Sequence, residues 1–248
     1  MSFQCRSVFI TGANRGIGLE LVKAFLNLSP APEHVFATAR SPESASDLKQ
    51  LQSNHSNLHV LQLDVTDFDS FPKVVEQVAE ILDGKGLNVL LNNAGILERS
   101  PIGEVTVDSM VNLYKTNTVA PLMLVQAFLP LLKKAAADTD DKSSLKAWIL
   151  NMSSSVASVE ENGMGGLYSY RASKTALNVI NKSLSIDLKP FGIMAIVLHP
   201  GWVQTEMGGP RALISTAESV TGLMKVITSL DETKSGMFYN LRGEIVRW

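Results

Sequence analysis

Short apolar runs alternate with longer amphipathic stretches from one end of the chain to the other. Ser7–Thr11, His34–Ala39, Leu58–Leu63, Asn88–Leu91, Ala147–Met152, Ile193–Leu198 and Gly236–Asn240 read as strands. Between them Gly16–Leu28, the Pro42–Gln52 segment, Phe68–Leu82, Val107–Leu132, Tyr170–Leu188 and Thr216–Leu230 carry apolar residues at helical spacing. In Phe68–Leu82 the residues Phe71, Val74, Val75, Val78, Ile81 and Leu82 make one stripe. The strand runs are almost continuously apolar, which indicates a parallel sheet covered on both faces. Ala135–Lys146 reads as an exposed loop too short to separate domains. The expected fold is α/β, one doubly wound domain over residues 1–248, with a parallel seven-stranded sheet and helices on both faces.

Composition narrows the function classes. A chain of 248 residues can bury a substantial core, and 45% hydrophobic residues with a net charge of −2 exclude intrinsic disorder. Lys and Arg (22) nearly balance Asp and Glu (24), which leaves no general electrostatic attraction to nucleic acid or an anionic membrane. The single cysteine, Cys5, excludes an internal disulfide and a cysteine-based zinc site. His34, His55 and His59 show no ligand spacing, so no metal is expected. No uninterrupted apolar run approaches the ~20 residues that span a bilayer. An apolar strand begins almost at once, leaving no room for a cleavable signal, and the last residues match no lipidation signal. The expected compartment is the cytoplasm.

The first strand–helix junction reads Thr11-Gly12-Ala13-Asn14-Arg15-Gly16-Ile17-Gly18. Glycines there permit a tight turn and close backbone approach to a pyrophosphate, and the helix start supplies free N–H groups. The second strand ends Ala37-Thr38-Ala39-Arg40, with no acid to accept a ribose 2′-hydroxyl. Arg40, with Arg15 from the glycine loop, instead suits a 2′-phosphate and favours NADP(H) over NAD. Solvated arginines are the plain alternative. Asp64, with Val65 after it, lies past the third strand; it can accept an adenine amine or serve as a turn residue ahead of the next helix.

Tyr170 and Lys174 lie one turn apart on one helix face. A phenol titrating near ~10 is a poor acid at neutral pH, and a neighbouring ammonium together with an oxidised nicotinamide is expected to bring it down. The phenol can then protonate a carbonyl oxygen as hydride arrives. Ser153-Ser154-Ser155 follows the fifth strand, where open α/β sheets place their sites. Asn92-Asn93-Ala94-Gly95 ends the fourth strand, and Pro200-Gly201-Trp202-Val203-Gln204-Thr205 follows the sixth. Pro121 has no N–H, so the carbonyl of Asn117 loses its usual helical partner and a kink is expected there.

Taken in order, these motifs resemble the short-chain dehydrogenase/reductase family over essentially the whole chain, and the resemblance implies a Rossmann domain. It implies Tyr170 as general acid/base, Lys174 as its pKa tuner and ribose anchor, Ser154 (flanked by Ser153 and Ser155) as substrate orienter, and Asn117 as fourth member and water holder. It also implies that Gly12, Asn14, Arg15, Gly16, Ile17, Gly18, Arg40, Asp64, Val65, Asn92, Ala94, Gly95, Tyr170, Lys174, Pro200, Gly201, Val203 and Thr205 hold the cofactor. Asn88 departs from the family's usual Asp before the Asn-Asn-Ala-Gly strand, with little effect expected. Within the family the glycine loop, Ala37–Arg40, Tyr170–Lys174 and Pro200–Thr205 look like sniffer-type carbonyl reductases and C-factor-like proteins. That implies NADPH-dependent reduction of small carbonyl compounds.

Substrate identity falls to Val156–Leu167 and Glu206–Ser215, whose glycines suggest mobile loops, the second a lid. Met164, Trp202 and Met207 are candidates for a cleft lining or for core fillers. His199 reads as a packing residue. Family members pair through two long helices, here 107–132 and 170–188, so a homodimer is expected. Two other functions compete: an NAD-dependent alcohol or steroid dehydrogenase, and a cofactor-sensing regulator without turnover. Retention of Tyr170, Lys174, Ser154 and Asn117 argues against the regulator.

Overall fold

The computed structural model describes residues 3–141 and 143–248. Seven strands, β1 (Ser7–Ile10), β2 (His34–Ala39), β3 (Leu58–Gln62), β4 (Val89–Asn92), β5 (Trp148–Met152), β6 (Met194–His199) and β7 (Phe238–Asn240), form one sheet. All neighbours pair in parallel in the order β3-β2-β1-β4-β5-β6-β7. The order reverses between β1 and β4. That switch point opens a crevice at the strand C-termini.

Helices α1 (Gly16–Leu26), α2 (Ser46–Asn54), α3 (Phe71–Ile81), α4 (Val107–Tyr114), α5 (Ala120–Ala137), α6 (Tyr168–Asp187) and α7 (Thr216–Thr228) cover both faces. Successive strand residues point to opposite sides, and each side has its own core. Val8 and Ile10 pack with Leu21, Val22 and Phe25 of α1 and with Leu223 and Ile227 of α7. Phe9, between them in sequence, packs on the other side with Val74 and Val78 of α3 and with Phe128 of α5. Burial on both faces is why the strands read as unbroken apolar runs.

The predicted Val107–Leu132 helix proves to be α4 and α5 joined by a π-helical turn over Lys115–Val119. The expected kink at Pro121 is thus taken up as one wide turn: a missing N–H is accommodated by shifting to longer-range backbone bonds, and the Ala120 N–H reaches Lys115. Val107–Ala137 as a whole is long and apolar enough to cross a membrane, with a mean hydropathy of 1.4 over an 18-residue window. The uninterrupted apolar runs did not reveal this, because Lys115, Asn117 and Gln126 divide them. Leu124, Phe128 and Leu132 spend their apolar surface on the sheet.

Asn88 sits fully buried at the entry to β4, the end away from the crevice. Its Oδ1 accepts from the Ser7 N–H (3.1 Å) and hydroxyl (2.9 Å), and its Nδ2 donates to Asp141 Oδ2 (2.6 Å) and the Lys146 carbonyl (2.9 Å). Asp141 also faces the Arg6 guanidinium at 3.3 Å. The carboxylate missing at position 88 is supplied here from the β4–β5 connection. His34 and His59 meet across β2 and β3, with Nδ1 and Nε2 3.1 Å apart. Burial lowers both pKa values. Among the described residues no three His, Cys, Asp or Glu side chains converge.

Candidate active site

The glycine loop meets α1 at the switch point. Gly12 and Gly16 have φ of +63° and +57°, which other residues rarely adopt. At Gly18 a Cβ would lie 2.2 Å from the Gly12 carbonyl oxygen and 2.6 Å from Asn93 Nδ2, so the loop closes only without one. Arg15 caps α1 without a side-chain bond, and no acid occupies the first turn. The helix therefore presents its free N–H groups and positive end to the crevice. Thr11 fastens this loop to the end of β4: its hydroxyl accepts from the Asn93 and Ala94 N–H groups at 3.0 Å each.

The two arginines have different neighbours. Arg15 pairs with Glu206 of the β6–α7 loop, reaching across the crevice. Arg40 stays exposed at the end of β2, close enough to Asp64 to help lower its pKa. Asp64 Oδ1 accepts from the Thr66 N–H and hydroxyl at 2.8 Å each, so the turn role is real. Oδ2 makes no such bond.

At the ends of β4 and β5 the four expected catalytic side chains gather. Ser154 faces the Tyr170 phenol and pulls its pKa down. Ser153 is turned away, buried with its hydroxyl toward the Lys174 carbonyl at 3.5 Å, and Ser155 opens a short 3-10 turn. Of the run of three, Ser154 is the one that acts on the phenol. Lys174 is buried, its Nζ donating to the Met152 carbonyl at 2.8 Å and lying 6.0 Å from the Tyr170 ring centre. Burial lowers its pKa to about 8. Asn117 is fully buried: Nδ2 donates to the Ile96 carbonyl (2.9 Å) and Ser173 Oγ (3.0 Å), while Oδ1 accepts from the Ile96 N–H (2.9 Å). A Cβ on Gly95 would stand 3.1 Å from Asn117 Oδ1 and 3.4 Å from Lys174 Nζ. Only glycine leaves that recess clear.

Burial pushes the Tyr170 phenol up to about 12. The groups that counter burial are Ser154 and, at longer range, Arg99.

This arrangement has relatives. The model of the short chain dehydrogenase family matches residues 6–213. The chain belongs to the short-chain dehydrogenase family. The carbonyl reductase Sniffer of D. melanogaster is 45% identical, superposes with a TM-score of 0.96, and the match covers 99% of this chain and 100% of that one. An NADPH-bound carbonyl reductase from chicken fatty liver is 44% identical with a TM-score of 0.94, at 99% and 100% coverage. C-signal of Myxococcus xanthus is 37% identical over 163 residues, 65% of this chain and 93% of that protein.

In this short-chain dehydrogenase the β6–α7 loop folds back on itself. A Cβ at Gly208 would fall 1.9 Å from the Val203 carbonyl oxygen, so this glycine serves a tight turn. The turn is bound from several sides: Gly208 N–H to Thr205 Oγ1 (3.0 Å), Trp202 Nε1 to the Gly208 carbonyl (2.9 Å) and Gln204 N–H to the Ile214 carbonyl (2.8 Å). Trp202, Met164 and Met207 are exposed on loops and fill no core. His199 is half-buried, its enclosed Nδ1 has no partner among the described residues, and desolvation lowers its pKa to about 4, so it stays neutral.

Residues that the motifs did not flag complete the site. Ser173 and Thr118 lock α6 to the π turn, through Asn117 and through a 2.7 Å bond from Thr118 Oγ1 to the Ser173 carbonyl. Arg99 reaches from the loop after β4 to the Met207 carbonyl at 3.2 Å. No spacing rule announces these, because each acts between segments distant in sequence.

Proposed function

We propose that this short-chain dehydrogenase is a cytoplasmic, homodimeric carbonyl reductase that uses NADPH to reduce aldehydes, ketones or quinones to alcohols. The residues fit that cofactor: a cradle at Gly12–Gly18 that side chains would fill, an uncapped helix start for the pyrophosphate, and Arg40 in place of an acid for a 2′-phosphate. Asp64 Oδ2 would accept the adenine amine, Ala94, Gly95 and Lys174 would hold the ribose, and the backbone of Val203 and Thr205 would meet the carboxamide. When bound, NADPH supplies the hydride.

The observation that carries the reading is Ser154 set against the Tyr170 phenol, with Lys174 buried one turn away. At neutral pH the phenol carries its proton, the form required of an acid that protonates a carbonyl oxygen, and Ser154 beside it works against burial to ease the proton's release. Ser154 donates to the same oxygen and orients it. Tyr170 then gives up its proton, and Lys174 steadies the phenolate and helps restore the proton. The identity of 45% to a carbonyl reductase supports the same direction.

The test follows NADPH absorbance against quinones, isatin-like diones and aldehydes, with Tyr170→Phe as control. Loss of the acid is expected to cost about 10²- to 10⁴-fold in kcat. Equal rates for the control refute the mechanism, and better turnover with NAD and an alcohol moves the protein to the dehydrogenase reading. Dimerisation rests on exposed apolar residues of α4 (Val107, Val111, Tyr114) and α6 (Val179, Ile186). Sedimentation is expected to give a dimer mass that Val111→Glu halves.

A further inference from the structure

Arg171 follows the phenol in sequence, yet its side chain leaves the site. Its guanidinium donates to three carbonyls: Nη1 to Val156 at 2.8 Å, Nε to Gly166 at 3.0 Å and Nη2 to Gly165 at 3.1 Å. Val156 and Gly165–Gly166 are the two ends of the loop that leads from Ser154 to Tyr170. One rigid, planar donor set therefore ties both ends together and fastens them to α6. One turn further on, Thr175 Oγ1 adds a 2.7 Å bond to the Ala157 carbonyl.

The backbone is shaped to be held this way. Gly165, Gly166 and Leu167 take φ of +65°, +64° and +53° in succession. That left-handed run brings two neighbouring carbonyls within reach of one guanidinium. Leu167 has no glycine freedom there, so the conformation persists because surrounding bonds impose it. Ser154 is anchored separately: the Ser153 N–H donates to Leu198 in β6 at 2.8 Å. Loop and orienting serine thus depend on different bonds.

We propose that Arg171 is a positioning residue that sets the substrate mouth, holding the 156–166 loop against α6 as the wall for the part of the substrate beyond its carbonyl. The proposal rests on the carbonyl reductase reading for what the mouth receives. A small aldehyde ends at Ser154 and Tyr170 and does not need the wall. A fused-ring quinone extends along it.

The test compares wild type with Arg171→Lys, which keeps the charge and loses the fork, and Arg171→Met. Pyridine-3-carbaldehyde and phenanthrenequinone are the paired substrates. The KM for the quinone is expected to rise at least fivefold in both variants, with kcat and KM for the aldehyde and the affinity for NADPH within twofold. A glutamate-specific protease is expected to cut at Glu160 or Glu161 at least tenfold faster in both. Thr175→Val, a milder release of the same loop, is expected to move both readouts in the same direction, and it decides the matter if the Arg171 variants do not fold. Unchanged proteolysis, or equal losses on both substrates, overturns the proposal. A wild-type protein that reduces neither substrate refutes the carbonyl reductase reading, while the proteolysis arm still reports on the clamp.

Discussion

Asn117 offers the sharpest test of how the site is built. Replacing it with alanine deletes three hydrogen bonds at a position with no solvent exposure and strands the Ile96 N–H and the Ile96 carbonyl, while the Ser173 hydroxyl keeps its bond to the Tyr170 carbonyl. Each such bond contributes about 1 kcal/mol net, and more where a buried partner is left unpaired, so Asn117→Ala is expected to cost about 3 kcal/mol. For a chain of this size, roughly 2–4 °C per kcal/mol places the drop in thermal midpoint at about 6–12 °C. Calorimetry on the purified protein measures it directly. Combining the change with Ser173→Ala should cost less than the sum, with a coupling of about 1 kcal/mol, because the two side chains share a bond. The loop carrying Gly95 and Ile96 loses its tether to α6 in the same variant, so carbonyl reduction should fall with stability. A melting point for Asn117→Ala within about 2 °C of wild type would refute the reasoning.

Three further outcomes follow from the same geometry. Arg40→Asp is expected to weaken NADPH binding by about 10- to 100-fold, the scale of one charged hydrogen bond lost, and to leave NADH binding unchanged or improved; fluorescence titration with both cofactors checks it. Glu206→Gln removes the partner of Arg15, but both side chains are largely exposed, so the melting temperature should stay within about 1 °C. Lys174 has a folded pKa of about 8 against 10.5 for a free lysine, so the unfolded chain binds the extra proton between those values. Stability is therefore expected to rise with pH across that window, while Tyr170, raised from 10.0 to about 12, removes stability above about pH 10. Urea unfolding at about pH 7.5 and 9.5 should show the rise in wild type and a smaller one in Lys174→Met.

Much of the fold was legible because its causes are local. Phe9 between Val8 and Ile10 signals burial on both faces wherever the sheet ends up, and the glycine loop demands its turn from the φ values of Gly12 and Gly16 alone. The Tyr170–Lys174 pair was legible too, since four residues on a helix always share a face. What could not be read is where charges and hydroxyls find partners. Glu206 pairing with Arg15 and Met152 accepting from the Lys174 ammonium join segments far apart in the chain, and the reach of Arg171 to three loop carbonyls depends on how that loop folds back.

The sequence by itself determined the strand–helix order, the phosphate turn, the family and the set of side chains able to move a proton to a carbonyl, because these follow from spacing along one chain. The tertiary structure alone decided that Ser154 rather than its neighbours meets the phenol, that Pro121 yields a π turn in place of a kink, and that burial holds Tyr170 near 12. Those outcomes depend on which distant group lies within about 3 Å of an atom and on how much water is excluded around it. Neither quantity exists until the sheet has closed.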